Sequence, residues 1–191
     1  MASSPSSPPL PEAIAANQPP RLQRLLAYRL LWLLSIVVLV LDQMTKAWIV
    51  SQMPLGTYGA APGTITVIEN FFYLVHVGNT GAAWSMMSGK STLLAGLAAI
   101  TLLGIYFWRR VLALREKWVQ LSFGLLCGGI VGNLIDRIAY GHVVDFLDFH
   151  FGSYVYPTFN VADSGICVGV AIYLIYSLRH PPEEPLKPTT D

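Results

Sequence analysis

Hydrophobic residues fall into four long runs that are separated by polar segments. The runs cover about residues 25–50, 91–108, 119–135 and 159–178. A helix rises 1.5 Å per residue, so ~20 apolar residues cross the hydrocarbon core of a bilayer. The pattern therefore predicts four membrane-spanning helices, the second and third of which are near the short limit for a crossing. No small-residue cleavage site follows the first run, so we expect it to be retained as a helix.

The composition agrees with a small polytopic membrane protein. Hydrophobic residues make up 53% of the 191-residue chain and charged residues only 12%, which is too apolar for an ordinary soluble domain. The net charge of +1 argues against a nucleic-acid partner. Both cysteines, Cys127 and Cys167, lie within apolar runs, where we expect them to pack rather than to form a disulfide.

Lysine and arginine residues orient the four helices. Basic residues lie before or at the start of the first run, separate the second from the third and follow the fourth: Arg21, Arg24, Arg29, Arg109, Arg110, Arg115, Lys117 and Arg179. The positive-inside rule then puts both termini in the cytoplasm. We divide the chain into a disordered cytoplasmic tail (1–24), a four-helix membrane domain (25–178) and a C-terminal cytoplasmic tail (179–191).

Two segments fall on the outer side, 51–90 and about 136–158. Within the first, residues 64–77 are rich in β-branched and aromatic residues and are bounded by glycine and proline, which predicts two or three short strands. The second is expected to be an outer loop or short helix. Four aromatic residues of the first segment are equally good candidates for anchors at the membrane interface or for core packing: Phe71, Phe72, Tyr73 and Trp84.

Polar residues within the third run share one helix face. Gly124, Gly128 and Gly132 recur every four residues, which predicts close packing with a neighbouring helix. Asn133, Asp136 and Arg137 continue from this stripe at spacings of three and four. Asp136 and Arg137 could form a structural ion pair or contact a substrate, and the spacing leaves both open.

Asp42 and Lys46 are four residues apart on the first helix, with the acid N-terminal, so we expect them to form an ion pair. A structural role is the more common one for such a lysine. Asp42 could orient a substrate or brace the site from behind.

Asp145 and Asp163 differ from the other acids because no cation is adjacent to them in sequence. Asn160 is a good N-cap, so Asp163 falls in the first turn of the fourth helix, where the helix dipole favours its ionised form. Asp145 lies in an apolar setting in the second outer segment, where desolvation favours the neutral acid. Two such carboxyls can share one proton and activate water, as in aspartic proteases. Their spacing would equally suit a proton relay in a small transporter, and a non-enzymatic assembly factor is the third possibility.

Two other chemistries are disfavoured. A zinc site is one: four potential ligands are close in sequence but match no zinc-ligand motif, namely His142, Asp145, Asp148 and His150. Solvated or interfacial histidines are more common than zinc ligands. A catalytic serine is the other: Ser164 has no histidine at a sequence position that would indicate a catalytic partner. We therefore expect Ser164 to cap the helix or to pack within it.

Five motifs, in order, resemble the lipoprotein signal peptidases, also called signal peptidase II. They are DQMTK at 42–46, NTGAAW at 79–84, GGIVGNLIDR at 128–137, GHVVDF at 141–146 and FNVADS at 159–164. Trp84 departs from the phenylalanine common at the end of its motif. The resemblance implies a membrane α-helical fold with four transmembrane helices, cytoplasmic termini and a small extracytoplasmic β-sheet that cradles substrate.

The resemblance also implies a function and a set of site residues. The expected activity is that of an aspartic endopeptidase of the bacterial inner membrane, which cuts diacylglyceryl-modified prolipoproteins N-terminal to the lipidated cysteine at the periplasmic face. By motif position, Asp145 and Asp163 match the catalytic pair. Eight residues match substrate-binding or supporting positions: Asp42, Lys46, Asn79, Gly81, Asn133, Asp136, Arg137 and Asn160. No cofactor or metal is implied, because a carboxyl pair activates water by itself. The expected partners are lipidated prolipoproteins and membrane lipids. We expect a monomer that is inhibited by globomycin-type cyclic peptides, as the family is.

Overall fold

The computed structural model of the chain describes residue 23 and residues 26–82 and 86–181. Trp84 lies outside these residues. So do the predicted N-terminal tail, apart from residue 23, and the C-terminal tail beyond residue 181.

Four helices form the body of the described chain. They are α1 (Arg29–Gln52), α2 (Ser91–Trp108), α3 (Lys117–Tyr140) and α4 (Val161–Arg179), and each is long and apolar enough to cross a membrane. The four predicted spans are thus confirmed, and α2 matches its hydrophobic run at both ends. The prediction of a short third span is wrong: α3 has 24 residues, because the helix continues through the polar positions after residue 135.

Helix α3 is the centre of the bundle. It packs against α4 and α1 along much of its length, and α2 packs mainly on α3. Ser91 is the only buried residue of α2. The polar face of α3 is therefore enclosed by α1 and α4, whereas α2 presents nearly all of its apolar surface outward.

The glycine stripe of α3 lets α1 approach its backbone. A Cβ atom at Gly128 would lie 2.7 Å from the carbonyl oxygen of Ser35, and one at Gly124 would lie 2.8 Å from Cβ of Leu34. At Gly132 a Cβ atom would collide with the carboxylate of Asp42. The predicted packing role of the stripe is confirmed, and it brings the α1 acid against the α3 backbone.

Gly129→Ala is expected to destabilise the protein by about 1–3 kcal/mol, because the added Cβ would collide with the carbonyl oxygen of Ala162 on α4. Gly96→Ala is the matched control, since Gly96 lies on a helix with open space around it and alanine is the better helix former. Unfolding of both variants in detergent micelles measures the difference. Equal stability of the two variants would contradict the close α3–α4 contact.

A four-stranded antiparallel sheet lies between the helices in sequence. Its strands are β1 (Ile65–Ile68), β2 (Phe72–Asn79), β3 (Val143–Phe151) and β4 (Tyr154–Val155), in the order β1-β2-β3-β4. The predicted strands of the first outer segment are confirmed. The second outer segment, however, is not a loop or short helix: it supplies β3 and β4, so Asp145 lies on a strand in the middle of the sheet.

Strand β3 is tied directly to the helices. Gly141 adopts φ +75° and ends α3 in the left-handed conformation that glycine favours. Two residues later β3 begins, and the Val144 amide donates a 3.1 Å hydrogen bond to the Asp136 carboxylate. Val144 and Phe146 pack with Ile49 at the end of α1. These contacts hold the sheet against the end of the bundle.

The aromatic residues at the start of β2 and just before it have different surroundings. Tyr73 is buried, so of its two predicted roles the structure supports core packing. Phe72 stacks on Phe149 with ring centroids 4.4 Å apart, and Phe71 meets Phe149 edge-on at 5.6 Å. Both phenylalanines are half-buried, and their role as interface anchors stays a prediction.

Candidate active site

Asp145 is almost fully buried in β3, with 2% of its surface exposed. Asn160 Nδ2 donates a 2.7 Å hydrogen bond to one carboxylate oxygen, and Asn79 Nδ2 donates a 3.0 Å bond to the other. The pKa of Asp145 is raised to about 7, first by burial and then by the charge of Asp163; the two amide hydrogen bonds and the charge of Lys46 act in the opposite direction. This carboxyl can therefore hold a proton at a pH well above the usual range of an aspartate.

Asp163 lies in the first turn of α4, as predicted, and Asn160 is the N-cap of that helix. The two form a reciprocal capping box: the Asp163 amide donates to Asn160 Oδ1 (2.9 Å), and the Asn160 amide donates to Asp163 Oδ2 (3.3 Å). Asn133 Nδ2 donates a 2.7 Å bond to the other oxygen of Asp163. The Asp163 carboxylate is thus fixed by donors from both α3 and the start of α4.

The side chain of Asn160 connects the two acids. Its Oδ1 atom accepts from the backbone of α4, which fixes the orientation of the amide and turns Nδ2 toward Asp145. Nδ2 also lies 3.2 Å from Oδ1 of Asn133, the residue that donates to Asp163. Two asparagine amides therefore bridge the carboxyl groups of β3 and α4.

Lys46 occupies the centre of a buried charge cluster. Its ammonium group lies 2.8 Å from Asp42 and 2.7 Å from Asp136, and it donates a 2.9 Å hydrogen bond to Asn133 Oδ1. These partners use all three of its donors. The predicted pair with Asp42 is confirmed. The suggested pair of Asp136 with Arg137 is not what forms, because the α1–α3 contact brings the lysine to Asp136 instead.

Asp42 braces the site from behind. It is fully buried, and its Oδ1 atom accepts a 2.9 Å hydrogen bond from the backbone amide of Ala162 in the first turn of α4. Gln43 was missed from the sequence: its amide donates to the carboxylates of both Asp42 (3.2 Å) and Asp136 (3.0 Å). The sequence feature that could have indicated a role for Gln43 is its position next to Asp42 in the first motif.

Arg137 reaches toward the loop after β2. It donates a 3.0 Å hydrogen bond to the carbonyl oxygen of Gly81, and the Gly81 amide in turn donates to Asn79 Oδ1 (2.9 Å). Asn79 in turn donates to Asp145. Arg137 is therefore linked to Asp145 through Gly81 and Asn79. All ten residues predicted for the site thus belong to one connected network.

Both acids line a single cavity of about 1000 Å³ at the end of the bundle. Its walls come from β2, β3, the α3 and α4 ends and the segment around Tyr58 and Gly59. Asn133 and Arg137 also line it, whereas Asp42 and Lys46 lie behind these side chains. Water and a polypeptide therefore have room to reach the two carboxyls.

The four residues weighed as a metal site do not converge. Asp148 accepts hydrogen bonds from His150 and from the Gly59 amide, each at 3.0 Å. Asp145 instead contacts amides, and His142 packs against Gly78. Ser164 donates to the carbonyl oxygen of Asn160, as expected for a helix-packing serine.

Comparison with known proteins identifies the family. The family model described as signal peptidase (SPase) II matches residues 34–179. A lipoprotein signal peptidase of Nostoc punctiforme is 41% identical over 157 residues, which are 81% of this chain and 92% of the relative. One from Bacillus pumilus is 37% identical over 147 residues, which are 77% of this chain and 91% of the relative.

Solved structures agree with the sequence relatives. A bacterial membrane enzyme solved by the in meso method at 2.3 Å resolution is 32% identical, with a TM-score of 0.68 over 81% of this chain and 93% of the other. A second, solved at 1.9 Å, is 34% identical with a TM-score of 0.66 over 77% and 91% of the two chains. With the family model matching all four helices and the relatives matched over nearly their whole length, this chain belongs to the signal peptidase II family of membrane peptidases.

Proposed function

We propose that this protein removes the signal peptide from diacylglyceryl-modified prolipoproteins by activating water between Asp145 and Asp163. The observation that carries the proposal is the pair of carboxyls that line one cavity and are bridged by the amides of Asn133 and Asn160. The names of the relatives, lipoprotein signal peptidases, support the substrate class.

The unlike surroundings of the two acids suit a shared proton. Asp145 has a pKa raised to about 7, so it can hold the proton at neutral pH. Asp163 accepts hydrogen bonds from Asn133 and from the start of α4, donors that favour a carboxylate. Two acids that are held together in unlike environments divide the work of general acid and general base.

The reaction then proceeds in two steps. The carboxylate takes a proton from water, whose oxygen attacks the carbonyl carbon preceding the lipidated cysteine, while the carboxylic acid protonates the carbonyl oxygen. The tetrahedral intermediate collapses, a proton passes to the cysteine nitrogen and the C–N bond breaks. The products are the free signal peptide and a lipoprotein with a new N-terminal cysteine.

We assign the peptidase domain to residues 25–178 in a bacterial inner membrane, with cytoplasmic termini. The basic residues around α1, between α2 and α3, and after α4 support this orientation. The sheet and the two acids then belong to the outer, periplasmic face. There the acyl chains of a substrate can lie along apolar helices while water still reaches the carboxyls.

We further propose that the protein acts as a monomer in contact with membrane lipids and that globomycin-type cyclic peptides inhibit it. The site is complete within one chain, since every donor to Asp145 and Asp163 described above is intramolecular. A cyclic lipopeptide that resembles the substrate would compete for the same cavity.

Incubation of the purified protein with a lipidated and an unlipidated form of one precursor tests the function. We expect cleavage of the lipidated form alone, at the bond before the cysteine, because the diacylglyceryl group holds that bond at the membrane surface. Mass spectrometry of the products locates the cut. Equal cleavage of both forms would contradict the lipid requirement, and no cleavage of either would favour the transporter alternative.

A further inference from the structure

The cavity has a second polar wall, away from the two acids. Asp148 and His150 line it from β3, and Tyr58 and Gly59 line it from the segment after α1. The Asp148 side chain is buried, and its Oδ2 atom lies 3.0 Å from both His150 Nε2 and the Gly59 amide. The proposed mechanism uses none of these groups, so this wall is available for another task.

His150 is held in one orientation. Asp148 contacts Nε2, the ring meets Tyr73 edge-on at a centroid distance of 5.0 Å, and Cε1 lies 3.3 Å from an ideal Cβ position at Gly59. When the ring is neutral, the carboxylate selects the tautomer with hydrogen on Nε2, so Nδ1 is an acceptor. Among the described residues none hydrogen-bonds Nδ1, and 22% of the His150 side chain is exposed.

The direction of β3 indicates what would reach this wall. Asp145 lies near the helix ends, and His150 is five residues further along the strand, about 17 Å at ~3.3 Å per residue. The apolar signal peptide and the acyl chains belong with the bilayer. The polar chain that follows the cut must therefore leave over the sheet, and about five extended residues span this distance.

We propose that Asp148 and His150, with Tyr58, form a subsite for the mature polypeptide about five residues after the scissile bond. His150 accepts a hydrogen bond from a backbone N–H or a polar side chain of the substrate, Asp148 positions the ring, and the exposed Tyr58 covers the chain. This inference rests on the proposed function, because it concerns the same substrate.

Two lipidated precursors with the same signal peptide test the subsite. The long form carries ten residues after the cysteine, and the short form ends one residue after it. For the unmodified protein we expect kcat/KM to be about two- to tenfold higher for the long form, the effect of one or two net hydrogen bonds. His150→Phe keeps an aromatic ring but removes the acceptor, so the long-to-short ratio should fall toward one.

Tyr58→Ala is the second variant, since Tyr58 is exposed and its loss is tolerable even if His150→Phe does not fold. It should also lower the ratio. His180→Phe, the same exchange at an exposed site at the other end of α4, should leave the ratio unchanged. Cleavage of both precursors at equal rates, or a ratio that neither variant changes, would overturn the subsite but leave the proposed function standing. Failure to cleave either precursor would overturn both.

Discussion

Asp145→Asn and Asp163→Asn are each expected to lower kcat/KM for a lipidated precursor by about 10⁴-fold or more. Asparagine has nearly the same shape as aspartate but can neither accept nor release the shared proton. Asparagine at position 145 keeps one oxygen that accepts from Asn160 or Asn79, whereas its NH2 group cannot accept from the other, so one of the two hydrogen bonds is lost. The remaining contacts should still preserve the fold and precursor binding. Single-turnover cleavage and a binding assay on the same preparations measure both quantities.

Glu69→Gln is the matched control for the loss of an acid at the sheet end of the protein, because Glu69 is exposed between β1 and β2. This control should cleave at the normal rate. If either aspartate variant retains most of the native rate, the shared-proton mechanism is wrong.

The pH profile of the native enzyme follows from the same pair. The pKa of Asp145 is raised to about 7, so activity should fall as pH rises through about 7 and the shared proton is lost. Activity should also fall in acid, where both carboxyls are protonated.

The stability of the protein should also decrease as pH rises. The pKa of Asp145 is higher in the folded state than in the unfolded state, where it is ~3.9, so the folded state binds more protons at pH values between the two. The folded state therefore becomes less stable as pH rises across this range. Asp145→Asn should remove this slope.

Lys46→Met is expected to destabilise the protein by about 3–5 kcal/mol, the usual cost of removing one partner from a buried ion pair. Asp42 and Asp136 are almost fully buried, and each contacts the ammonium group at less than 3 Å. Methionine fills the space of the lysine stem but leaves both acids without a cation. Equilibrium unfolding in detergent micelles measures the loss.

Two comparisons sharpen that experiment. Lys90→Met removes an exposed lysine just before α2 and should change stability by less than about 0.5 kcal/mol. Adding Asp42→Asn and Asp136→Asn to Lys46→Met removes the uncompensated charge and should recover part of the loss. If Lys46→Met lowers the free energy of unfolding no more than Lys90→Met does, the charge cluster does not depend on its cation.

The helices were predictable because apolar length alone decides whether a segment can cross a bilayer. Strand β3 was missed although part of its signal was present: Asp148 and His150 alternate with phenylalanines, and the segment is bounded by two glycines. Between Asp145 and Asp148, however, the pair Phe146 and Leu147 breaks the period of two that marks a strand.

The partners of the charged residues could not be predicted. Sequence spacing gives the face of a helix but not which neighbour meets it. The spacing therefore offered adjacent Arg137 or a substrate as partners for Asp136, whereas the actual partner is Lys46 on α1. The bridge between Asn133 and Asn160 depends likewise on the closeness that Gly129 and Gly132 permit between helices. Motif resemblance selected ten residues that the structure joins in one hydrogen-bond network, and their roles in the site stay a prediction.

The charge cluster bears on the order in which the helices enter the membrane. An isolated α3 would carry Asp136 into the bilayer without Lys46, the cation that it contacts in the folded protein, at a cost of up to about 3 kcal/mol. α1 emerges from the ribosome earlier, with Lys46 already matched by Asp42 one turn away. The order of helices along the chain therefore has the counter-ion in place before the acid that needs it, and α3 can lower its insertion cost by docking on α1 as it arrives.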